Sequence, residues 1–216
     1  MREVVFGTHH TAEDWGLILN AKSITPPTPK VVKISVDGRD GEINLSRSLT
    51  GDMKFNNREA SFTFLLTEGT QSEREELLAT ILNAVHGQEL QIIEPDRPDH
   101  YLLGECSIKN IKNDRAYGSV TITADCEPFY YDKMEVNRAI TLTSTATNVV
   151  LTNSGRKTVI PTLTVTSQVT IVFDNTSVAL SKGTYKLSAL QLRPGGTTIK
   201  VSGSGTLTVT YREAVL

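Results

Sequence analysis

Leu207-Thr208-Val209-Thr210-Tyr211 alternates apolar and polar side chains without a break. The same period of two returns in Leu163-Thr164-Val165-Thr166 and Val169-Thr170-Ile171-Val172-Phe173, and more briefly in Tyr185-Lys186-Leu187 and Ile199-Lys200-Val201. Successive side chains of a strand point to opposite faces, so this spacing predicts antiparallel strands with one face buried and one solvated. Asn153-Ser154-Gly155, Ser181-Lys182-Gly183, Pro194-Gly195-Gly196 and Gly203-Ser204-Gly205 supply the turns between them. Short strands so spaced predict an antiparallel sandwich or jelly roll. Thr and Ser fill 25 of the 81 positions from 136 to 216. Their strict alternation with apolar residues places them on the solvent face of strands, not in a mucin-like stalk.

Upstream the composition changes. Residues 1–135 carry 22 acids and 14 bases, residues 136–216 carry 2 acids and 8 bases, and the only tryptophan is Trp15. Such a shift predicts two domains, 1–132 and 133–216, joined just after Phe129-Tyr130-Tyr131. The first reads as a β-sandwich or split-barrel-like domain with one helix, so the whole chain is mainly β. Ser72-Glu73-Arg74-Glu75 has the spacing of a capping box, and Leu77, Leu78, Ile81, Leu82 and Val85 make an apolar stripe at helical period. Gly87 supplies a left-handed stop, which predicts a helix over about 72–86. Strands are expected at 31–36, 60–66, 88–93, 102–111 and 118–125. Pro26-Pro27-Thr28-Pro29 is a stiff connector excluded from a sheet interior. The stretch from about 42 to 58 mixes Ile43, Leu45, Leu49, Met53 and Phe55 with turn-like polar residues. It reads as a long hairpin or arm that leaves the domain body. A segment of that length is uncommon unless it binds something, and a neighbouring subunit is the natural candidate. Leu49, Met53, Phe55, Asn57 and Arg58 are its expected contact residues.

No catalytic set is visible. His9, His10, His86 and His100 lack metal-ligand spacing with a cysteine or an i, i+4 partner. His9-His10 near Glu13 and Asp14 reads as a solvated loop, and His86 falls in the last helical turn, where a cation suits the dipole. Asp37-Gly38-Arg39-Asp40-Gly41 lacks the further ligands and closing Glu of a calcium loop and reads as a tight turn. Asp96-Arg97-Pro98-Asp99 offers two carboxylates, the raw material of a glycosidase pair, but acids flanking a proline describe an exposed turn. Neither a P-loop nor a dinucleotide fingerprint occurs, and Gly195-Gly196 reads as a hairpin turn. No cofactor or metal is expected. Cys106 and Cys126 read as reduced, buried small hydrophobes. The net charge of −2 gives no global pull toward nucleic acid or anionic lipid. No apolar run is long enough for a membrane helix, and the start of the chain lacks the pattern of a signal peptide, which predicts a chain made and folded in a cytoplasm. Carbohydrate binding by the second half is the alternative reading. It needs exposed rings, and Phe173, Tyr185 and Tyr211 all alternate into the core.

The order of these elements resembles a known family. An opening strand with Phe6-Gly7 precedes Trp15-Gly16-Leu17, the proline connector and the glycine-rich turn after Val36. Asn57-Arg58 leads into Ser61-Phe62-Thr63-Phe64, followed by the capped helix, Gly87 and Tyr101-Leu102-Leu103-Gly104. This series is similar to the N-terminal domain of the distal tail protein (Dit) family of long-tailed, siphovirus-type phages and prophages. Asn153-Ser154-Gly155, Pro161-Thr162-Leu163 and Leu192-Arg193-Pro194-Gly195 resemble that family's galectin-like C-terminal sandwich. The resemblance implies a non-enzymatic structural protein of the virion tail tip, or baseplate, assembled in the host cytoplasm. It implies a hexameric ring whose lumen continues the tail tube. Its implied partners are the tail tube protein, the tail-associated lysin or fibre hub, and the receptor-binding protein, with no specific nucleic-acid binding and no membrane insertion. If the acidic first half lines that lumen, it repels passing DNA, which carries about one negative charge per 1.7 Å of axis.

Overall fold

The computed structural model describes residues 3–48 and 51–216, so Leu49 lies outside the described residues. The chain divides into two compact units, residues 1–130 with Leu216, and residues 131–215. The first contains β1 (Val5–Phe6), β2 (His9–His10), β3 (Ile18–Ile24), β4 (Lys33–Ser35), β5 (Glu42–Asn44), β6 (Arg58–Leu66), α1 (Gln71–Val85), β7 (Gln88–Ile93), β8 (His100–Asn113) and β9 (Gly118–Cys126). Seven of these strands make one antiparallel sheet in the order β2-β1-β7-β8-β9-β6-β3. Alternation decides which face is covered. Phe62 and Phe64 of β6, Val120 and Ile122 of β9, and Leu102 and Cys106 of β8 are buried on the side where α1 sets down Leu78, Ile81 and Val85. Phe6 stands edge-on to Phe62 and Phe64, with centroids 5.7 and 6.4 Å away.

The helix begins earlier than the Ser72 box. Its N-cap is Thr70, whose hydroxyl accepts the Glu73 N–H at 3.3 Å while the Glu73 carboxylate accepts the Thr70 N–H at 2.7 Å. The earlier start lets Arg74 turn inward, where it is buried and donates to Gly69 O, Asn113 Oδ1 and Asp114 O. Leu82 falls off the apolar stripe and is exposed, and Gly87 ends the helix at φ +71°. His86 does not face the helix carbonyls, because its Nδ1 accepts the Ile108 N–H at 3.0 Å. Cys106 and Cys126 are free and buried on neighbouring strands, and burial pushes both thiols up to about 12. Gly104 packs against them so closely that a Cβ there would meet Cys126 Sγ at 2.6 Å and the Asp125 carbonyl at 2.9 Å. Gly104→Ala is expected to destabilise the unit by about 1–3 kcal/mol. Adding Cys126→Ala should not restore stability, because backbone atoms also obstruct the methyl. Chemical denaturation checks both outcomes.

β4 and β5 form a separate two-stranded sheet, in the register Lys33↔Asn44, Ile34↔Ile43 and Ser35↔Glu42. This corrects the arm's boundary. The 31–36 stretch is the outgoing limb of the hairpin, not a strand of the body, and the hairpin springs from the Pro29↔Phe55 bridge. Asp37-Gly38-Arg39-Asp40-Gly41 is its tip, with both glycines at positive φ.

β10 (Tyr130–Asp132) runs through the unit boundary. The second unit holds β11 (Val136–Thr141), β12 (Thr147–Asn153), β13 (Thr162–Val165), β14 (Val169–Phe173), β15 (Thr176–Leu180), β16 (Gly183–Lys186), β17 (Gly195–Gly203), β18 (Thr206–Tyr211) and β19 (Ala214–Val215). Two four-stranded sheets, β11-β18-β13-β16 and β12-β17-β14-β15, form a sandwich. Leu151, Leu163, Ile171, Leu192, Ile199 and Leu207 lie in its core. Gly195 and Gly196 are the first residues of β17, not a turn, and a Cβ on Gly196 would touch Val150 at 3.2 Å. Asn153 is buried and ties three segments, donating to the Lys157 and Leu192 carbonyls and accepting the Gly155 N–H.

Candidate assembly surfaces

The hairpin is amphipathic. Val32, Ile34 and Val36 alternate onto one face, with Ile43 opposite Ile34 and Leu45 beside Val32, whose carbonyl accepts the Leu45 N–H at 2.8 Å. Val31 and Val32 are 53% exposed, and Ile34, Val36 and Leu45 are exposed as well. An isolated two-stranded hairpin is marginal in water, and exposed contiguous apolar strips are uncommon on soluble proteins. Burying five such side chains is worth on the order of 5 kcal/mol. At its root, Lys30 N–H donates to Lys54 O, and Asn56 donates to Thr28 through both backbone and side chain. Of the residues expected to make contacts, Phe55 packs edge-on against Phe129 at 6.0 Å, and Asn57 Nδ2 donates to Asp125. Met53 is half-buried, and Arg58 is buried in the body of the unit. The strongest exposed apolar residues of the arm are Val31 and Val32, which the reading of the sequence assigned to the body.

The sheet face turned away from α1 is polar. Its register sets Glu59 opposite Asp125, Asp125 opposite Glu105, and Glu105 opposite Glu89. Four carboxylates thus stand in a row across β6, β9, β8 and β7, on strands about 4.8 Å apart. All four are exposed, and none makes an ion pair among the described residues. Like charges directly opposite each other destabilise a sheet by roughly 0.2–1 kcal/mol per pair. Ser61, Thr63, Thr121 and Thr123 continue the polar face, with Thr63 and Thr121 hydroxyls 3.1 Å apart.

A third surface lies at the root of the hairpin, a cleft of about 640 Å³ in the first unit. Pro26 and Pro27 form part of its wall, and Lys22, Arg58, Glu94, Asp96, Arg97 and Tyr130 supply its polar groups. Lys22 of β3 pairs with Glu94, and with Asp96 at 2.5 Å. β3 and the end of β7 are separated by three strands in the sheet, so these pairs draw the curled sheet together. The ion pairs overcome desolvation at Lys22 and raise its pKa. Buried Tyr130 donates to Glu94 Oε1 at 2.7 Å, and burial together with that carboxylate pushes its phenol up. Arg58 stacks at 4.8 Å from the Tyr130 centroid and Arg97 at 4.3 Å, so the ring is held between two guanidinium groups. The assembly joins residues from four separate segments, which no local motif announces.

Among the described residues no three His, Cys, Asp or Glu side chains are grouped to hold a metal. His10 instead bonds Glu3 at 3.1 Å and His9 stacks on Trp15. No helix among the described residues is long and apolar enough to cross a membrane. In the second unit Phe173 and Tyr211 are buried, and Tyr185 packs against the core, so these rings build no flat platform.

No family model matches the sequence, and no curated protein matches it significantly. Its fold does match solved structures. The crystal structure of bacteriophage SPP1 Dit, presented as a paradigm of the hub adsorption apparatus in phages infecting Gram-positive bacteria, superposes with a TM-score of 0.69. The identity is 15%, and the match covers 98% of this chain and 99% of that one. A chain of the phage P2 baseplate in its calcium-activated conformation matches at a TM-score of 0.45 and 8% identity, over 99% of this chain and 98% of that one.

Proposed function

We propose that the chain is the structural hub of a phage tail tip, forming a closed ring that joins the tail tube to the adsorption apparatus and lets DNA pass. The observation that carries this reading is the full-length match of the fold to SPP1 Dit, with neither chain leaving a domain unmatched. A ring of identical heterologous contacts joins two different surfaces of each subunit, and the hairpin with its exposed apolar strip offers one of them. Six subunits are favoured. The tail tube protein docks on one side of the ring, and the tail-associated lysin or fibre hub and the receptor-binding protein on the other. The role is non-enzymatic.

The row Glu59, Asp125, Glu105, Glu89 gives the acidic first half a place in this function. Facing the lumen, it repeats around the ring and repels the phosphate backbone, so DNA meets no basic surface on which to stick. The row costs stability in the isolated unit, which fits retention for a role rather than for folding. The test is duplex DNA binding by the assembled protein at physiological salt. The native ring is expected to show no measurable affinity, while the Glu59→Lys, Glu105→Lys, Asp125→Lys variant retards DNA with a steep salt dependence. Binding by the native ring would refute the acidic channel.

A further inference from the structure

Both Asp-Gly dipeptides of the chain, Asp37-Gly38 and Asp40-Gly41, lie at the tip of the hairpin. All four residues are exposed, and a Cβ built on either glycine would meet nothing within 4 Å. Among the described residues neither aspartate makes an ion pair or a hydrogen bond, and neither glycine N–H has an acceptor. A glycine nitrogen has no side chain beside it to shield it. With its N–H unbonded as well, it can attack the carboxyl carbon of the aspartate before it. The attack closes a five-membered ring, so the aspartate Cβ and the glycine nitrogen must come nearly eclipsed about the aspartate Cα–C bond.

The two dipeptides differ in that freedom. Arg39 N–H donates to the Val36 carbonyl at 3.2 Å, which makes Asp37 and Gly38 the central pair of a hydrogen-bonded turn. Gly38 stands at φ +81° and Asp37 is not at positive φ, the combination that defines a type II turn. Such a turn holds its first central residue at a ψ of about +120°, which swings the Asp37 Cβ well away from the Gly38 nitrogen. No hydrogen bond among the described residues spans Asp40-Gly41. Gly41, at φ +76°, leads directly into Glu42, the first residue of β5. Rotation about the Asp40 Cα–C bond therefore breaks no turn.

We infer that Asp40 is a site of spontaneous covalent modification, closing onto the Gly41 nitrogen to a succinimide that opens to isoaspartate, while its turn spares Asp37. In the first step the Gly41 nitrogen bonds to the Asp40 Cγ, and a carboxyl oxygen leaves as water with the amide proton. In the second, water adds to the main-chain carbonyl carbon of Asp40 and that carbon's bond to the Gly41 nitrogen breaks. The chain then runs through Cβ and Cγ, and the former main-chain carbonyl becomes the free carboxylate. Composition and charge are unchanged, and no oxidant or other reactant is consumed. One extra carbon enters the main chain between Arg39 and Gly41, just before the Ser35↔Glu42 pair that begins the hairpin's register. The arm thus ages from its tip.

The test is incubation of the full chain at neutral pH and raised temperature, folded and in urea side by side. Isoaspartate is then labelled by an isoaspartyl methyltransferase with radioactive methyl donor, and the label is located by peptide mapping. The unfolded chain is expected to label at both aspartates, since the turn is lost, and the folded chain at Asp40 alone. Asp40→Glu keeps the charge, but its longer side chain closes the ring poorly, so the folded variant is expected to lose the label. Asp37→Glu is expected to keep it. A folded chain that labels at Asp37 as strongly as at Asp40 overturns the assignment. So does a folded chain that stays unlabelled, or an Asp40→Glu variant that labels as the native chain does.

Discussion

Replacing residues 31–53 by a two-residue Asn-Gly turn is expected to yield a folded monomer. The cut leaves the root intact, because the Pro29↔Phe55 bridge and the Lys30 to Lys54 hydrogen bond lie outside it, and Asn-Gly is the preferred two-residue hairpin turn. β4 and β5 form a two-stranded sheet of their own, separate from the large sheet of the body. The lost term is the apolar strip of Val32, Ile34, Val36, Ile43 and Leu45, on the order of 5 kcal/mol at each contact. In a closed ring each subunit makes that contact twice, once as donor and once as acceptor, so the loss is felt cooperatively. Size-exclusion chromatography with light scattering reads the outcome. An unchanged oligomer would remove the arm from assembly.

Phe62→Ala is expected to be the most damaging single core substitution in the first unit. Phe62 is fully buried on β6, where its ring stands edge-on to Phe6 at 5.7 Å. Truncating a buried Phe costs about 3–5 kcal/mol through lost transfer energy and a residual cavity. That is a large part of the 5–15 kcal/mol typical of a domain. The second unit has its own core around Ile171 and Leu207, so its transition should not move. Urea denaturation followed at Trp15, which reports the first unit alone, and by far-ultraviolet circular dichroism separates the two transitions. A shift below about 1 kcal/mol, or an equal shift in both, would contradict this division of the core.

Much of this architecture is written in local pattern. The alternation of Leu207–Tyr211 and Val169–Phe173 became β18 and β14, because period two with one polar face has few other solutions. The helix was equally legible, but its start was not. Thr70 and Ser72 each have a glutamate three residues on, and the choice falls to Thr70 because Gly69 turns the chain at φ +75° and Arg74 is drawn inward by three carbonyl-type acceptors from other segments. The hairpin shows a different limit. Val31–Val36 has the alternation of a body strand, and alternation states that a face is apolar without stating what covers it. The acid row is invisible without register, since Glu59, Glu89, Glu105 and Asp125 come together only through pairing of four strands. The arginine cleft is farther still from legibility, because Arg58 and Arg97 flank a ring that the chain delivers from Tyr130. Position in the sequence puts Arg58 with the arm, whereas its side chain is buried in the body of the unit.

Ring formation is what the proposed function requires of this chain. Native mass spectrometry of the purified full chain across a concentration range is the most direct measurement. A dominant species at six times the 23.7 kDa chain mass, persisting on dilution, is the predicted result. A chain that remains at its single-copy mass at every concentration would contradict it.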